Sequence, residues 1–220
     1  MKLDLHIHSV FSRDGTATVE EIISRCKAQG LQGFAITDHN AIEGALRSVE
    51  LARREGLVSV TGVEVSTAEG HVLAYGIREL VPRGLSVAET VDRIRSAGGV
   101  AVAAHPKRFP SGIGLRAASD EGFDAIETLN GGSSSRGNRQ AERVAQARRL
   151  PRTGGSDAHA VPEIGKAWTV VDDASTDEDV LAAIRKGACR PGGRSRSARE
   201  GIVYSWETFI SWLCGGLSRL

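Results

Sequence analysis

Apolar and polar positions along the chain follow two rhythms. Short, apolar-rich runs recur at Lys2 to His8, 33–39, 57–66, 71–77, 100–106, 123–131 and 166–172, and 152–160 reads as a short strand and a loop. Several are rich in Val and Ile, and they read as strands. Between them lie stretches with an apolar residue every three or four positions: 18–30, 41–56, 86–99, 136–150 and 176–187. These read as helices. The first carries Thr18 as a predicted N-cap, Glu21 at the capping-box position and Gly30 as a stop. The runs 57–66 and 71–77 are close enough to form a hairpin around "TAEG". Repeated strand–helix alternation predicts an α/β fold with a largely parallel sheet, curved or closed, and helices outside. Sheets of this kind carry functional residues at the carboxyl ends of their strands.

From about Gly187 the pattern changes. "GACRPGGRSRSARE" reads as an irregular, basic segment. In the final stretch Ile202, Trp206, Phe209, Ile210, Leu213 and Leu217 recur at helical spacing, which predicts an amphipathic helix. Docking of this helix on the domain is the favoured reading; self-association through it and attachment to a membrane surface are the others. The expected division is one domain over 1–190 and this tail over 191–220. A formal net charge of +1 gives no general attraction to nucleic acid or anionic membrane, so any anion preference must be local. Cys26, Cys189 and Cys214 are too far apart for a disulfide framework or a zinc pair, which fits a reducing cytoplasm. The N-terminal run is interrupted by charge and does not read as a secretory leader, and no segment approaches the length of a membrane span.

The chemistry lies in the histidines. In a strand over Lys2 to His8, alternation puts Asp4, His6 and His8 on one face and Leu3, Leu5 and Ile7 on the other. The remaining histidines, His39, His71, His105 and His159, also fall at strand ends and never in a helix interior. Three carboxylates join them: Asp14 past the first strand, Glu64 flanked by valines within a strand, and Asp157 two residues before His159. A carboxylate pointing into a strand-lined interior is costly unless a cation or donors compensate it. Six imidazoles and three carboxylates are too many for one zinc-like ion with four or five ligands, and suit two or three ions sharing bridging groups. Nitrogen and hard oxygen without thiolate favour Zn, Mn or Fe.

The ordered series "DLHIHS", "SRDG", "ITDHN", "GVEVS", "GHVLAYG", "AAHP" and "GSDAHA" resembles the motif set of the polymerase and histidinol phosphatase (PHP) family of metal-dependent phosphoesterases. The resemblance covers residues 1–190. It implies a distorted (β/α)7 barrel with a trinuclear centre. His6, His8, Glu64 and Asp157 would hold one ion; Glu64 would bridge to a second on His71 and His105; Asp14, His39 and His159 would hold the third. A metal-bridged hydroxide would attack phosphorus. An aspartate at position 14 looks more like the branch acting on nucleotides and oligonucleotides. The large helical insertion that many of that branch carry between the positions of His71 and His105 is reduced here to one helix, which implies a more open site. The expected substrate is a small phosphomonoester, a nucleotide or a short oligonucleotide end. Histidinol phosphate and phosphotyrosine are alternatives on the same centre.

Other residues are expected in supporting roles. Arg108, directly after "AHPK", is expected to clamp phosphate, with Lys107 beside it. Asp38 is expected to orient a ligand imidazole or to protonate the leaving oxygen. Arg136 is a weaker phosphate candidate. A C–N hydrolase of the amidohydrolase type would call for a bridging lysine, and here Glu64 holds that place. A metal-stabilised accessory or nucleic-acid-binding module is the non-catalytic alternative.

Overall fold

The computed structural model describes residues 1–120, 122–197 and 200. Both rhythms appear as expected. The strands and helices run β1 (Lys2–Ile7), α1 (Val19–Ala28), β2 (Gly33–Ile36), α2 (Glu43–Arg54), β3 (Val58–Ser66) and β4 (His71–Tyr75). They continue with α3 (Val87–Ser96), β5 (Val100–Ala103), α4 (Leu115–Asp120), β6 (Ala125–Asn130) and α5 (Ser135–Arg148). The series ends with β7 (Arg152–Gly155), β8 (Ala167–Val171), α6 (Asp177–Lys186) and β9 (Cys189–Gly193). The predicted capping box forms at Thr18 and Glu21.

The strands form one sheet in the order β7-β6-β5-β4-β3-β2-β1-β8-β9. β1, β2 and β3 pair in parallel, β4 is antiparallel to both neighbours, and β5, β6 and β7 are parallel again. Because β4 alone is reversed among these seven, its first residue lies at the end where the other six finish. The outer strands of the seven meet: His8 N–H donates to Ala158 C=O and Asp157 N–H to His6 C=O, each at 2.8 Å. The result is a nearly closed barrel. The remaining two strands continue antiparallel from the start of β1.

Alternation divides the apolar residues into two layers. Leu3, Leu5, Leu73, Tyr75 and Val102 form an inner cluster with Val180 and Ile184 of α6. Leu181 of α6 stands against Gly76, at the far end of β4 from His71, so α6 stoppers the barrel opposite the histidines. Ile7, Phe34, Ile36, Val63 and Val72 form an outer layer with α1 and α3.

Three features depart from the sequence reading. First, Leu3 and Leu5 belong to the inner cluster and Ile7 to the outer one, and the β1–β2 register shifts between Asp4 and Ile7. A bulge places two successive residues on one side. His6 and His8 therefore do share a face, but Asp4 does not share it. Its buried carboxylate instead accepts from Ser156 and Gly165 N–H at 2.8 Å and from His6 N–H at 3.3 Å. Burial pushes the Asp4 pKa up to about 6 against the pull of these bonds. Second, the segment read as irregular from 187 contains β9, which runs through the expected boundary at 190. Pro191 and the glycines of "CRPGG" are poor strand formers, but an edge strand tolerates them. Third, the short α4 fills the β5–β6 connection. The amphipathic helix expected over 201–220 lies outside the described residues. Among the described residues no helix is long and apolar enough to cross a membrane, and Cys26 and Cys189 are free thiols, both buried.

Candidate metal centre

Each ligand reaches the open end of the barrel for a local reason. The β1 bulge turns in His6 and His8. In the run after β2, alternation sends His39 inward and Asp38 outward. β3 points Glu64 inward between outward Val63 and Val65. Reversed β4 contributes its first residue, His71. His105 and Asp157 enter on left-handed backbone, at φ 25° and 54°. Non-glycine residues in that region cost on the order of 1 kcal/mol and cluster at functional sites.

The nine side chains converge. His6 Nε2 and His8 Nε2 lie 3.3 Å apart. Glu64 Oε2 is 3.3 Å from the first and 3.2 Å from the second. Asp157 Oδ1 is 3.6 Å and 3.4 Å from the same two nitrogens. A tetrahedron with metal–ligand bonds of about 2.0–2.1 Å has edges of about 3.3–3.4 Å. These five separations, 3.2–3.6 Å, are close to such edges. Glu64 Oε1 meets His71 Nδ1 at 2.9 Å and His105 Nε2 at 2.8 Å, and Oε2 also has His39 Nδ1 at 3.2 Å. Asp14 Oδ2 lies 3.4 Å from His39 Nε2 and 3.2 Å from His159 Nε2 at the rim. Glu64 Oε2 is buried and accepts no hydrogen bond, although three imidazole nitrogens surround it. A divalent cation fits that donor set.

Electrostatics match. Burial alone would lower the His6 pKa, but the charges of Glu127 and Glu64 raise it to about 10. Burial disfavours Glu64 ionisation, yet His6 and His105 hold its carboxyl well below the usual range. Burial likewise opposes charge on Asp14, and hydrogen bonds from His159 and His39 overcome it. Burial lowers the pKa of His105 and of His159. Charged His6 thus stabilises the fold below the ordinary value of 6.5, and that contribution is lost as pH rises through about 10. A metal takes only the neutral imidazole. Loading metal onto chelator-treated protein at pH 8 is accordingly expected to release about one proton from His6. Calorimetry in buffers of different ionisation enthalpy measures this, and no proton release would contradict it.

Arg108 pairs through Nη1 with Asp157 Oδ2, the oxygen turned away from His6 and His8. Asp38 is elsewhere engaged: its oxygens take Ser9 N–H at 2.6 Å and Ser9 Oγ–H at 2.7 Å. It pins the loop after β1, and among the described residues its hydrogen bonds go to Ser9 and not to an imidazole. Lys107 and Arg136 are exposed.

Sequence reasoning missed four supporting residues. Buried Glu127 accepts from His6 Nδ1, from His105 N–H and from Asn130 Nδ2, each at 2.9 Å. Asn130 Nδ2 also reaches Asp157 Oδ2 at 3.1 Å. A register shift in β6 between Glu127 and Leu129 lets both Glu127 and Asn130 face inward. By accepting at Nδ1, Glu127 leaves Nε2 of His6 to ligate. Ser12 Oγ donates to Asp14 Oδ1 at 2.8 Å, and Ser9 holds Asp38. The argument that flagged Glu64, an acid within an apolar strand, applies equally to Glu127 in "AIETL".

Comparison with known proteins agrees with this geometry. The PHP domain model matches residues 4–144, and the PHP-associated model matches 135–189. An uncharacterized protein of Methanocaldococcus jannaschii is 39% identical over 141 residues, 59% of this chain and 82% of its own length. A 3′,5′-nucleoside bisphosphate phosphatase of Chromobacterium violaceum is 37% identical over 84 residues, 36% of this chain. The chain spans only 29% to 38% of that enzyme and of two other relatives with named activities. The fold resembles a two-domain protein from Bacteroides vulgatus containing a predicted PHP-like metal-dependent phosphoesterase. The TM-score is 0.71 at 19% identity, over 88% of this chain and 65% of that one. With its nine candidate ligands gathered at one barrel end and a family model matching well over half its length, the chain belongs to the PHP domain family of metal-dependent phosphoesterases.

Proposed function

We propose that the protein hydrolyses a phosphomonoester on a small nucleotide-like substrate, using two or three divalent ions of the Zn, Mn or Fe type. The observation that carries this reading is the approach of Glu64 Oε2 and Asp157 Oδ1 to within 3.2–3.6 Å of both His6 Nε2 and His8 Nε2, with the other oxygen of Glu64 turned to His71 and His105. Asp14, His39 and His159 complete a third group at the rim. Divalent ions there would supply Lewis-acid polarisation of the phosphoryl group and a water of lowered pKa.

The chain's own residues do the rest. Glu127, Asn130 and Asp38 hold ligands and loops so that little reorganisation is needed during reaction. Only three carboxylates stand among the nine ligands, so an occupied site stays electropositive toward a phosphate dianion. Arg108, anchored on Asp157, would grip phosphate oxygens as a planar fork. Between β4 and β5 there is one helix, α3, which leaves the mouth open to a bulky leaving group. The Chromobacterium relative, by its name, acts on a nucleoside bisphosphate, which supports the nucleotide class.

Alanine at His8 or Asp157 is expected to cut phosphate release from p-nitrophenyl phosphate about 10³-fold in Mn or Zn. An unchanged rate would remove the proposal. A panel of nucleoside monophosphates, nucleoside bisphosphates, short oligonucleotides, histidinol phosphate and phosphotyrosine peptide then fixes the leaving group.

A further inference from the structure

Helix α5 is charged unlike its neighbours. α1, α2, α3 and α6 each carry an acid in the first turn, as the helix dipole favours. α5 carries none there, and Arg136 is its second residue. Arg136, Arg139 and Arg143 follow at i, i+3 and i+7 and are all exposed, while Gly137, Asn138, Ala141 and Ala145 form the buried side. Among the described residues none of these three arginines has a hydrogen-bond or carboxylate partner. Elsewhere among the described residues Arg47, Arg53, Arg54, Arg95, Arg148 and Arg152 are each paired with an acid, while Arg13, Arg78, Arg83 and Arg149, which also lack such a partner, lie outside this stripe. Uncompensated positive charge near a helix start opposes helix stability, so the fold itself does not call for it.

The stripe begins beside the metal centre. α5 follows directly from the segment holding Asn130 and Gly132; a Cβ on Gly132 would lie 3.2 Å from both Arg108 Nη1 and Asp157 Oδ2. A Cβ on Gly137, next to Arg136, would lie 3.5 Å from Lys107 Cβ. At about 1.5 Å rise per residue the three arginines step away from the mouth by roughly 4.5 and 6 Å. These steps exceed the roughly 3.4 Å per charge along one strand of duplex DNA, so the stripe would suit a more extended single strand. With a net charge of +1 the protein has no general pull on polyanions, so a local track is what such a ligand would need.

We propose that Arg136, Arg139 and Arg143 form a backbone track for the trailing phosphates of a single-stranded oligonucleotide whose terminal phosphate enters the metal centre. The assignment rests on the phosphoesterase reading for what happens at the terminus, but not for the binding itself.

The test compares wild-type holoenzyme with the R136Q/R139Q/R143Q variant. The probe is a 3′-fluorescein decathymidylate with phosphorothioate linkages, followed by anisotropy between 50 and 200 mM salt. Single strands contribute a salt slope of about −0.7 per phosphate contact, so three contacts give about −2. The variant is expected to bind at least about tenfold more weakly, with a slope shallower by about 2. Turnover of p-nitrophenyl phosphate should stay unchanged in a companion R139Q/R143Q variant, and the melting temperature of the triple variant should hold or rise slightly, since positive charge near the helix start is removed. Equal affinity and slope in the two proteins overturn the track. So does a parallel loss of p-nitrophenyl phosphate turnover in the companion variant, which would mean damage to the centre. A wild-type protein that shows the arginine-dependent binding yet hydrolyses no ester would uphold the track and sink the phosphoesterase proposal.

Discussion

Exchanging Glu64 for glutamine is expected to abolish turnover, by at least about 10³-fold. One carboxylate here faces five imidazoles: Oε1 meets His71 and His105, and Oε2 meets His6, His8 and His39. Glutamine keeps the shape but removes the charge and turns one oxygen into a donor. That donor would face nitrogens that need an acceptor or a cation. Metal content by mass spectrometry should fall in the variant. Wild-type protein should melt higher when Mn is added, since ligand at about 100 times Kd stabilises by about 2.7 kcal/mol; the variant should show little of this rise. Full metal content with full activity in the variant would refute the assignment of Glu64 as the shared ligand.

A second large effect is expected from Gly155→Ala, a change of one methyl group outside the ligand set. The new Cβ would lie 2.4 Å from His6 Cβ, 2.8 Å from His6 N and 3.1 Å from Glu127 Oε1. The first two atoms belong to or adjoin backbone and cannot swing aside. Overpacking of this kind costs about 1–3 kcal/mol. It also displaces the imidazole and the acid that orients it, for which a 10–100-fold loss of metal affinity or activity is typical, on the order seen for outer-shell changes. Thermal melting and kcat on p-nitrophenyl phosphate measure the two effects. Wild-type behaviour in both would mean that β7 has slack that the geometry does not show.

Much of this was legible in the residues. Alternation and strand-end placement sufficed to group the nine ligands, because a closed parallel barrel delivers strand ends to one rim. What alternation could not supply was its own failure. The β1 bulge separates Asp4 from His6 and His8, and the β6 register shift turns Asn130 inward with Glu127. Bulges leave no mark in a hydrophobic pattern, since both neighbours stay buried. β9 was hidden because an edge strand can form from residues with low strand propensity when a partner such as β8 presents free backbone groups. Asp38 shows a related effect. It adjoins His39 in sequence, but alternation turns neighbours to opposite faces, and its carboxylate serves Ser9 instead.

The way the barrel shuts has a bearing on synthesis. Residues of β1 leave the ribosome some 150 to 170 positions before their partners on the closing side, from Ser156 to Val171. Pairings so remote in sequence slow the search for the native state. Until they form, the nascent strand has an open edge that invites other chains. Production of this protein should therefore be sensitive to growth temperature and chaperone supply, and a fragment ending before Ser156 should aggregate.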